Sequence, residues 1–209
     1  MKKFLFQGDS ITDTNRSRDH ASNFCLGNGY PTIVAGILGA ESKDKLEFFN
    51  RAVGGNRIVD LYARMKADII NLKPDYMSVL IGVNDVWHEL SDSDGVSAEK
   101  YEKIYSMLIE EILEELPNVK IFILEPFLCH GTATDPEWDT FMGEVRKRAA
   151  AAKRISEKYG LAFVPLQDRF EAAQKETDFT YWTLEGVHPT AMGHGIIARA
   201  LLEVIESGI

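Results

Sequence analysis

Short apolar segments alternate with segments of helical periodicity along the chain, and this alternation restricts the fold more than any other feature. Five apolar runs have the length and composition of buried strands: residues 3–6, 46–49, 76–81, 119–124 and 162–164. Between them, apolar residues recur at the three- and four-residue spacing of amphipathic helices. Strands that alternate with helices predict a parallel sheet with helices on both faces, because right-handed crossovers return the chain to one sheet. We therefore predict an α/β fold with about five strands.

The chain is long enough to form one domain with a sizeable core, since it has 209 residues. No internal repeat or low-complexity linker divides it, so we predict a single domain over residues 1–209. The predicted helices begin near Pro31 and cover residues 58–69, 98–116, 137–158, 168–175 and a last segment that includes 196–204. Residues 13–29, 50–56, 82–95 and 181–189 are interpreted as loops.

Charge and apolar content argue against several classes of partner. The formal net charge is −9, and binding to nucleic acid or to an anionic membrane needs a basic surface. No apolar stretch approaches the roughly 18 residues of a membrane span. The apolar run after Met1 ends at Phe6, whereas a signal peptide needs an apolar core of about 7–15 residues. We therefore predict a cytoplasmic protein without stable membrane association. Composition does not predict its oligomeric state.

The two cysteines do not indicate a disulfide framework or a metal site. Cys25 and Cys129 lie far apart in sequence and form no paired motif. We predict that both are buried, reduced thiols.

Polar residues and glycines follow the ends of the first three predicted strands. Ser10, Gly55 and Asn84 each lie in the loop after a strand. The carboxyl ends of parallel strands meet at one edge of a sheet, where ligands bind in folds of this class. The loop that holds His188 can reach the same edge. The sequence therefore predicts a functional site there.

These residue types suit nucleophilic catalysis. A serine at a strand-to-helix turn becomes a nucleophile when a base takes its proton, and His188 could be that base. Glu185, three residues earlier, could accept a hydrogen bond from the other imidazole nitrogen. The Ser10 and Gly55 N–H groups and the Asn84 side chain could stabilise an oxyanion. Taken singly, the serine could be a helix cap, the histidine a surface loop residue, and the glycine and asparagine ordinary turn residues.

Four stretches of the chain occur in the order and with the spacing of the conserved blocks of the SGNH (GDSL) hydrolases, and the chain resembles that family over nearly its whole length. The stretches are Gly8-Asp9-Ser10-Ile11-Thr12, Asn50-Arg51 with the later Gly55, Gly82-Val83-Asn84-Asp85 and Gly186-Val187-His188-Pro189. Each block is weak evidence alone, but four in order are specific.

The resemblance implies a three-layer sandwich with a flavodoxin-like sheet and ester hydrolysis without a metal or cofactor. It implies Ser10 as nucleophile, His188 as base, and oxyanion donors from Ser10, Gly55 and Asn84. The family usually has an aspartate three residues before the histidine, where this chain has Glu185. The extra methylene moves the carboxylate by about 1–1.5 Å, so Glu185 either completes a triad or leaves a serine–histidine dyad.

The substrate is less well defined by the sequence. Lipids, lysophospholipids, thioesters and acetylated sugars are all substrates within the family. No large apolar lid segment is present, which favours a small soluble ester, with an acetylated carbohydrate as first candidate. Tyr181 and Trp182 precede the base and could form an aromatic wall for a sugar ring or a short acyl chain. Packing in the core is the other interpretation of both.

Two other classes of function remain open on the residues alone. Asp9, Asn84 and His188 could bind a divalent metal in a phosphoesterase, although no early Asp-x-His pair or histidine cluster accompanies them. A non-catalytic ligand-binding module is the other, but it would not need Ser10 and His188 together.

Overall fold

Five parallel strands form a sheet in the computed structural model, which describes residues 1–41 and 45–208. The strands are β1 (Lys2–Gly8), β2 (Leu46–Asn50), β3 (Tyr76–Leu80), β4 (Lys120–Leu124) and β5 (Ala162–Val164). Their order is β2-β1-β3-β4-β5, and every neighbouring pair is parallel. In this flavodoxin-like order the strand sequence reverses between β1 and β3, where such sheets bind ligands. The predicted α/β fold is confirmed.

Helices lie between the strands as the alternation predicts. They are α1 (Ser10–Asp13), α2 (Tyr30–Glu41), α3 (Ile58–Met65), α4 (Val83–Asp92), α5 (Ala98–Glu115), α6 (Trp138–Tyr159), α7 (Gln167–Glu176), α8 (Phe179–Trp182) and α9 (Ala191–Gly208). A π-helical turn, Lys66–Ile70, continues α3, and a 3₁₀ turn, Asp135–Glu137, precedes α6.

Apolar cores cover the two faces of the sheet. Successive side chains of a strand point to opposite faces. In β1, Phe4 and Phe6 join the core that contains side chains of α2 and α9, whereas Leu5 joins the core that contains side chains of α3 and α5. All three side chains are almost fully buried, and burial of a side chain of this size contributes about 1.5–3 kcal/mol. The central strand is thus held from both sides, which fixes the position of the turn after it.

The segment after β3 was predicted to be a loop, and this prediction was wrong. Val83, Val86, Trp87 and Leu90 have the spacing of one helix face, and they pack against the core as part of α4. The polar run after Leu90 concealed this short periodic pattern. The helix ends at Asp92, and the next residue, Ser93, caps it in a left-handed conformation with a φ of 55°.

Two smaller predictions also need correction. Tyr181 and Trp182 lie in the short helix α8 rather than in a loop, because the Asp178 side chain accepts a hydrogen bond from the Thr180 N–H and caps that helix. Both cysteines are free thiols, but only Cys129 is buried, whereas Cys25 is half-exposed in the segment between α1 and α2.

Over residues 1–41 and 45–208, no helix is both long enough and apolar enough to cross a membrane.

Candidate active site

The turn after β1 places Ser10 at the start of α1. Gly8 has a φ of +154°, and a Cβ atom at this position would lie 2.3 Å from the Leu80 carbonyl oxygen, so only glycine fits. Asp9 caps the helix, and its Oδ1 accepts a hydrogen bond from the Ile11 N–H at 3.0 Å. Since Ser10 is the first helical residue, its backbone N–H has no acceptor within the helix. The Ser10 hydroxyl and N–H therefore lie together at the carboxyl edge of the sheet.

The segment between α8 and α9 presents the His188 imidazole to Ser10. Thr183 and Pro189 form an isolated antiparallel bridge, and the Leu184 N–H donates to the His188 carbonyl oxygen at 2.8 Å. These contacts close a tight loop. The loop holds His188 Nε2 at a hydrogen-bond distance of 2.8 Å from Ser10 Oγ. This geometry lets an imidazole accept a serine proton.

Glu185 contacts the other side of the same imidazole. Its Oε1 accepts hydrogen bonds from His188 Nδ1 and, at 3.1 Å, from the His188 backbone N–H. The second bond holds the carboxylate against its own loop, which compensates for the longer glutamate side chain. The hydrogen bond that the imidazole donates to Glu185 raises the pKa of His188 above its ordinary value of 6.5, even though partial burial acts in the opposite direction.

Potential oxyanion donors come from two further loops at the same edge. Gly55 has a φ of +79° and follows Gly54, where an added Cβ would lie 3.7 Å from Ser10 Cβ. Asn84 is buried near the start of α4, and its Nδ2 donates to the Asn56 carbonyl oxygen at 3.1 Å. The structure thus places the 54–56 loop between Ser10 and Asn84. Among the described residues, the Gly55 and Ser10 N–H groups have no hydrogen-bond acceptor.

Comparison with known proteins identifies the family. The model of the GDSL-like Lipase/Acylhydrolase family matches residues 6–196, a range that contains all four sequence blocks. The chain belongs to this family. It is therefore a carboxylic ester hydrolase.

Individual relatives are similar to this GDSL hydrolase in sequence and structure over nearly their full lengths. An acetylxylan esterase from Geobacillus stearothermophilus is 34% identical over 212 residues, which cover 98% of this chain and 94% of that protein. Its crystal structure has a TM-score of 0.87 and covers 100% of this chain and 94% of that chain at 33% identity. A protein from Parabacteroides merdae described as a GDSL-like lipase has a TM-score of 0.90 at 34% identity, with 97% and 94% of the two chains covered.

Two further polar residues, to which sequence reasoning assigned no role, hold the segments on either side of the 54–56 loop of this GDSL hydrolase. Asn50, at the end of β2, donates from Nδ2 to the Thr12 carbonyl oxygen at 2.6 Å and accepts from the Ala52 N–H at 3.0 Å. Asp85 accepts the Ile58 N–H at 3.1 and 3.2 Å with its two oxygens, so α4 is tied to the start of α3. Burial raises the pKa of Asp85 to about 8. Both residues lie within the sequence blocks, which was the available signal.

A cavity of about 670 Å³ opens over Ser10 and His188. Its walls include charged and amide side chains from the segment after α1, together with the first turn of α9. Residues lining it include Ser10, Asp13, Asn15, Arg16, Arg18, Asn28, Gly54, Leu184, His188 and His194. The Trp87 ring, which sequence reasoning missed because α4 was taken for a loop, lies 5.9 Å from the His188 ring. The lining of the cavity is thus largely polar, whereas the Trp87 ring lines a separate depression.

Tyr181 and Trp182 are not brought into this cavity. They line a separate depression between α7 and α9, together with Met192 and Arg199. Their predicted contact with substrate is not supported by this placement. Within the described ranges 1–41 and 45–208, no group of three or more His, Cys, Asp or Glu side chains is placed to hold a metal ion.

Proposed function

We propose that this hydrolase cleaves small acetate esters, with acetylated carbohydrates as its substrate class, through an acyl-enzyme on Ser10. The observation that carries the proposal is the chain of contacts from Ser10 Oγ to His188 Nε2 and from His188 Nδ1 to Glu185. A serine, an imidazole and a carboxylate in this order form the arrangement that activates a hydroxyl for attack on an ester.

Acylation begins when Ser10 Oγ attacks the ester carbonyl carbon and its proton passes to His188 Nε2. The carbonyl oxygen becomes an oxyanion, which the Ser10 and Gly55 N–H groups and Asn84 Nδ2 stabilise. When the tetrahedral intermediate collapses, the alcohol leaves with the proton from His188. Glu185 holds the imidazole in the required tautomer and stabilises its charged form.

Deacylation repeats these steps with water in place of the serine. His188 takes a proton from a water molecule, the resulting hydroxide attacks the acyl carbon, and the same donors stabilise the second oxyanion. Collapse releases the carboxylic acid and returns the proton to Ser10 Oγ. Each residue is thus restored, and no metal or cofactor enters the proposed sequence.

The relatives support both the residues and the substrate class. Crystal structures of the acetylxylan esterase include catalytic mutants in which a serine, an aspartate or a histidine is replaced by alanine. In that esterase the aspartate lies three residues before the histidine, the same separation as between Glu185 and His188. We infer that Glu185 takes the place of the aspartate.

The polar walls of the cavity favour a polar, hydroxyl-rich substrate over one with a long acyl chain. Arg16, Arg18, Asn15 and Asn28 line it, and such groups need hydrogen-bond partners that an alkyl chain lacks. A short-chain acylhydrolase, a lysophospholipase and a thioesterase with the same residues are the alternatives. A cytoplasmic location stays a prediction from sequence.

A panel of 4-nitrophenyl esters tests this function. After treatment with EDTA, the purified protein is expected to hydrolyse the acetate with a kcat/KM at least about tenfold above the butyrate and far above the octanoate, and to release acetate from acetylated xylo-oligosaccharides. The reason is that a polar, short acyl site gains little from added methylenes and must desolvate its polar groups to hold them. A preference for the octanoate would contradict the substrate class, and loss of activity with EDTA would contradict the proposed mechanism.

The amide of Asn84 provides a separate test of the oxyanion site. We expect Asn84→Ala to lower kcat for 4-nitrophenyl acetate by about 10²–10³ with little change in KM, because the donor acts on charge that develops only in the transition state. Asn118→Ala, which removes an exposed asparagine between α5 and β4, is the matched control and should leave kcat unchanged. A change confined to KM would show that Asn84 binds ground-state substrate instead.

A further inference from the structure

The active-site cavity carries positive charge although the chain as a whole is acidic. The formal net charge is −9, yet Arg16 and Arg18 line the cavity of Ser10, with Asp13 as the carboxylate among its lining residues. Charges in a partly enclosed cavity act more strongly than on an open surface, because less water screens them. The lining of the cavity is therefore net positive, although the chain as a whole is net negative.

The carboxylate of Asp13 is already used by other groups. Its Oδ2 pairs with Arg18 at 2.6 Å and accepts the Gly54 N–H at 3.1 Å. Its Oδ1 accepts the backbone N–H of Arg16 at 3.2 Å. Asp68, the other carboxylate near Arg16, pairs with Arg64 at 2.7 Å. In the described ranges 1–41 and 45–208, no carboxylate lies within ion-pair distance of the Arg16 guanidinium, and Asp13 and Asp68 act on its charge only from farther away.

Arg16 uses only part of its hydrogen-bonding capacity. Its Nε donates to the Ala52 carbonyl oxygen at 3.0 Å. Within residues 1–41 and 45–208, its two terminal amino groups have no acceptor and its charge has no ion-pair partner. Burial and the neighbouring Arg18 lower the pKa of Arg16 to about 10. A half-buried guanidinium that is charged but has no ion-pair partner carries an unfavourable desolvation free energy. A bound anion would offset that free energy.

We propose that Arg16 binds a carboxylate of the substrate, so that the preferred substrates are acetyl esters of acidic carbohydrates. The planar guanidinium matches a carboxylate with two parallel N–H···O bonds, and its Nε is already fixed by the Ala52 carbonyl. This inference rests on the proposed esterase function, since it concerns the alcohol part of the substrate and not the acetyl group that Ser10 attacks.

Matched anionic and neutral acetate esters test the inference directly. The probes are 3- and 4-acetoxybenzoate, each compared with the acetoxybenzamide of the same substitution. The variant is Arg16→Gln, because the glutamine Nε2 lies as many bonds from Cα as the arginine Nε and can keep the hydrogen bond to Ala52. We expect the ratio of kcat/KM for the anionic over the neutral ester to fall by about tenfold or more in the variant, for at least one isomer.

The ratio of kcat/KM for the anionic over the neutral ester is the readout. Any movement of the backbone near Ala52 and the 54–56 loop in the variant affects both esters alike and leaves this ratio unchanged. Arg146→Gln, an exposed arginine on α6, should leave the ratio at its wild-type value. An unchanged ratio for both isomers in Arg16→Gln, or an equal fall in Arg146→Gln, would overturn the inference. Absence of hydrolysis of all four esters by the wild type would instead contradict the proposed esterase function.

Discussion

Ser10→Ala is expected to lower kcat for 4-nitrophenyl acetate by about 10⁵–10⁶, the largest loss of any single substitution. In the proposed mechanism the alanine removes the atom that bonds to the acyl carbon, and in the part of the chain that the structure describes no other hydroxyl contacts His188 Nε2. A residual rate of about 10³–10⁴ over water can survive, because the oxyanion donors and the binding of the substrate remain. Steady-state kinetics on purified protein measure the effect.

The control for this variant is Ser207→Ala, which removes an exposed hydroxyl near the end of α9. Both variants should keep the wild-type circular dichroism spectrum and thermal midpoint within a few degrees, since neither residue supports the core. Activity of folded Ser10→Ala within tenfold of wild type would contradict its assignment as nucleophile.

His188→Ala is expected to cost nearly as much as loss of Ser10, about 10⁵–10⁶ in kcat, because in the proposed mechanism the imidazole accepts and returns every proton of the cycle. We expect Glu185→Ala to cost less, about 10³–10⁴, because Glu185 orients the imidazole and stabilises its charge without touching the ester. The hydrogen bonds to both the ring and the backbone of His188 make this effect substantial despite the longer side chain. The comparison uses kcat at the pH optimum of each variant.

The pH profile of Glu185→Gln separates a positioning role from a merely structural one. In the wild type, Glu185 raises the pKa of His188, and kcat/KM should fall as the pH falls through that raised pKa, because protonated imidazole cannot accept a proton. The glutamine removes the charge that raises the pKa, so the acid limb should move to lower pH. An acid limb that stays in place, or equal losses for Glu185→Ala and His188→Ala, would contradict this division of roles.

The sequence predicts best those residues of the candidate site that directly follow strands of the sheet. Ser10, Gly55 and Asn84 follow strands of a parallel sheet, so their meeting at one edge follows from the alternation of strands and helices. The 2.8 Å contact of His188 with Ser10 joins residues 178 positions apart. The residues alone made His188 a candidate base, and the family resemblance implied that role specifically. The resemblance left open whether the Glu185 carboxylate contacts the imidazole. That contact depends on the hydrogen bond between the carboxylate and the His188 backbone N–H, which the sequence does not show.

The unpredicted part depends on long-range contacts with no local pattern. Arg16 lies in a segment without periodicity, and the carbonyl of Ala52 holds its side chain in place across 36 residues. Trp87 was missed because the polar residues after Leu90 obscured α4. Tyr181 and Trp182 were expected beside the base from their position in sequence, but α8 carries them to the depression against α9. Proximity along the chain was a poor guide where a short helix intervened.

Covalent labelling of the native enzyme tests the central claim most directly. The fluoride of diisopropyl fluorophosphate is displaced only by an activated nucleophile, so the stable phosphoryl ester marks the atom that would attack a substrate. Intact mass spectrometry and peptide mapping should find one phosphoryl group per chain, on Ser10, with hydrolysis of 4-nitrophenyl acetate lost in proportion to labelling and no label in Ser10→Ala or on another serine. Full labelling of Ser10 with hydrolysis retained, or full inhibition with Ser10 unmodified, would contradict the account.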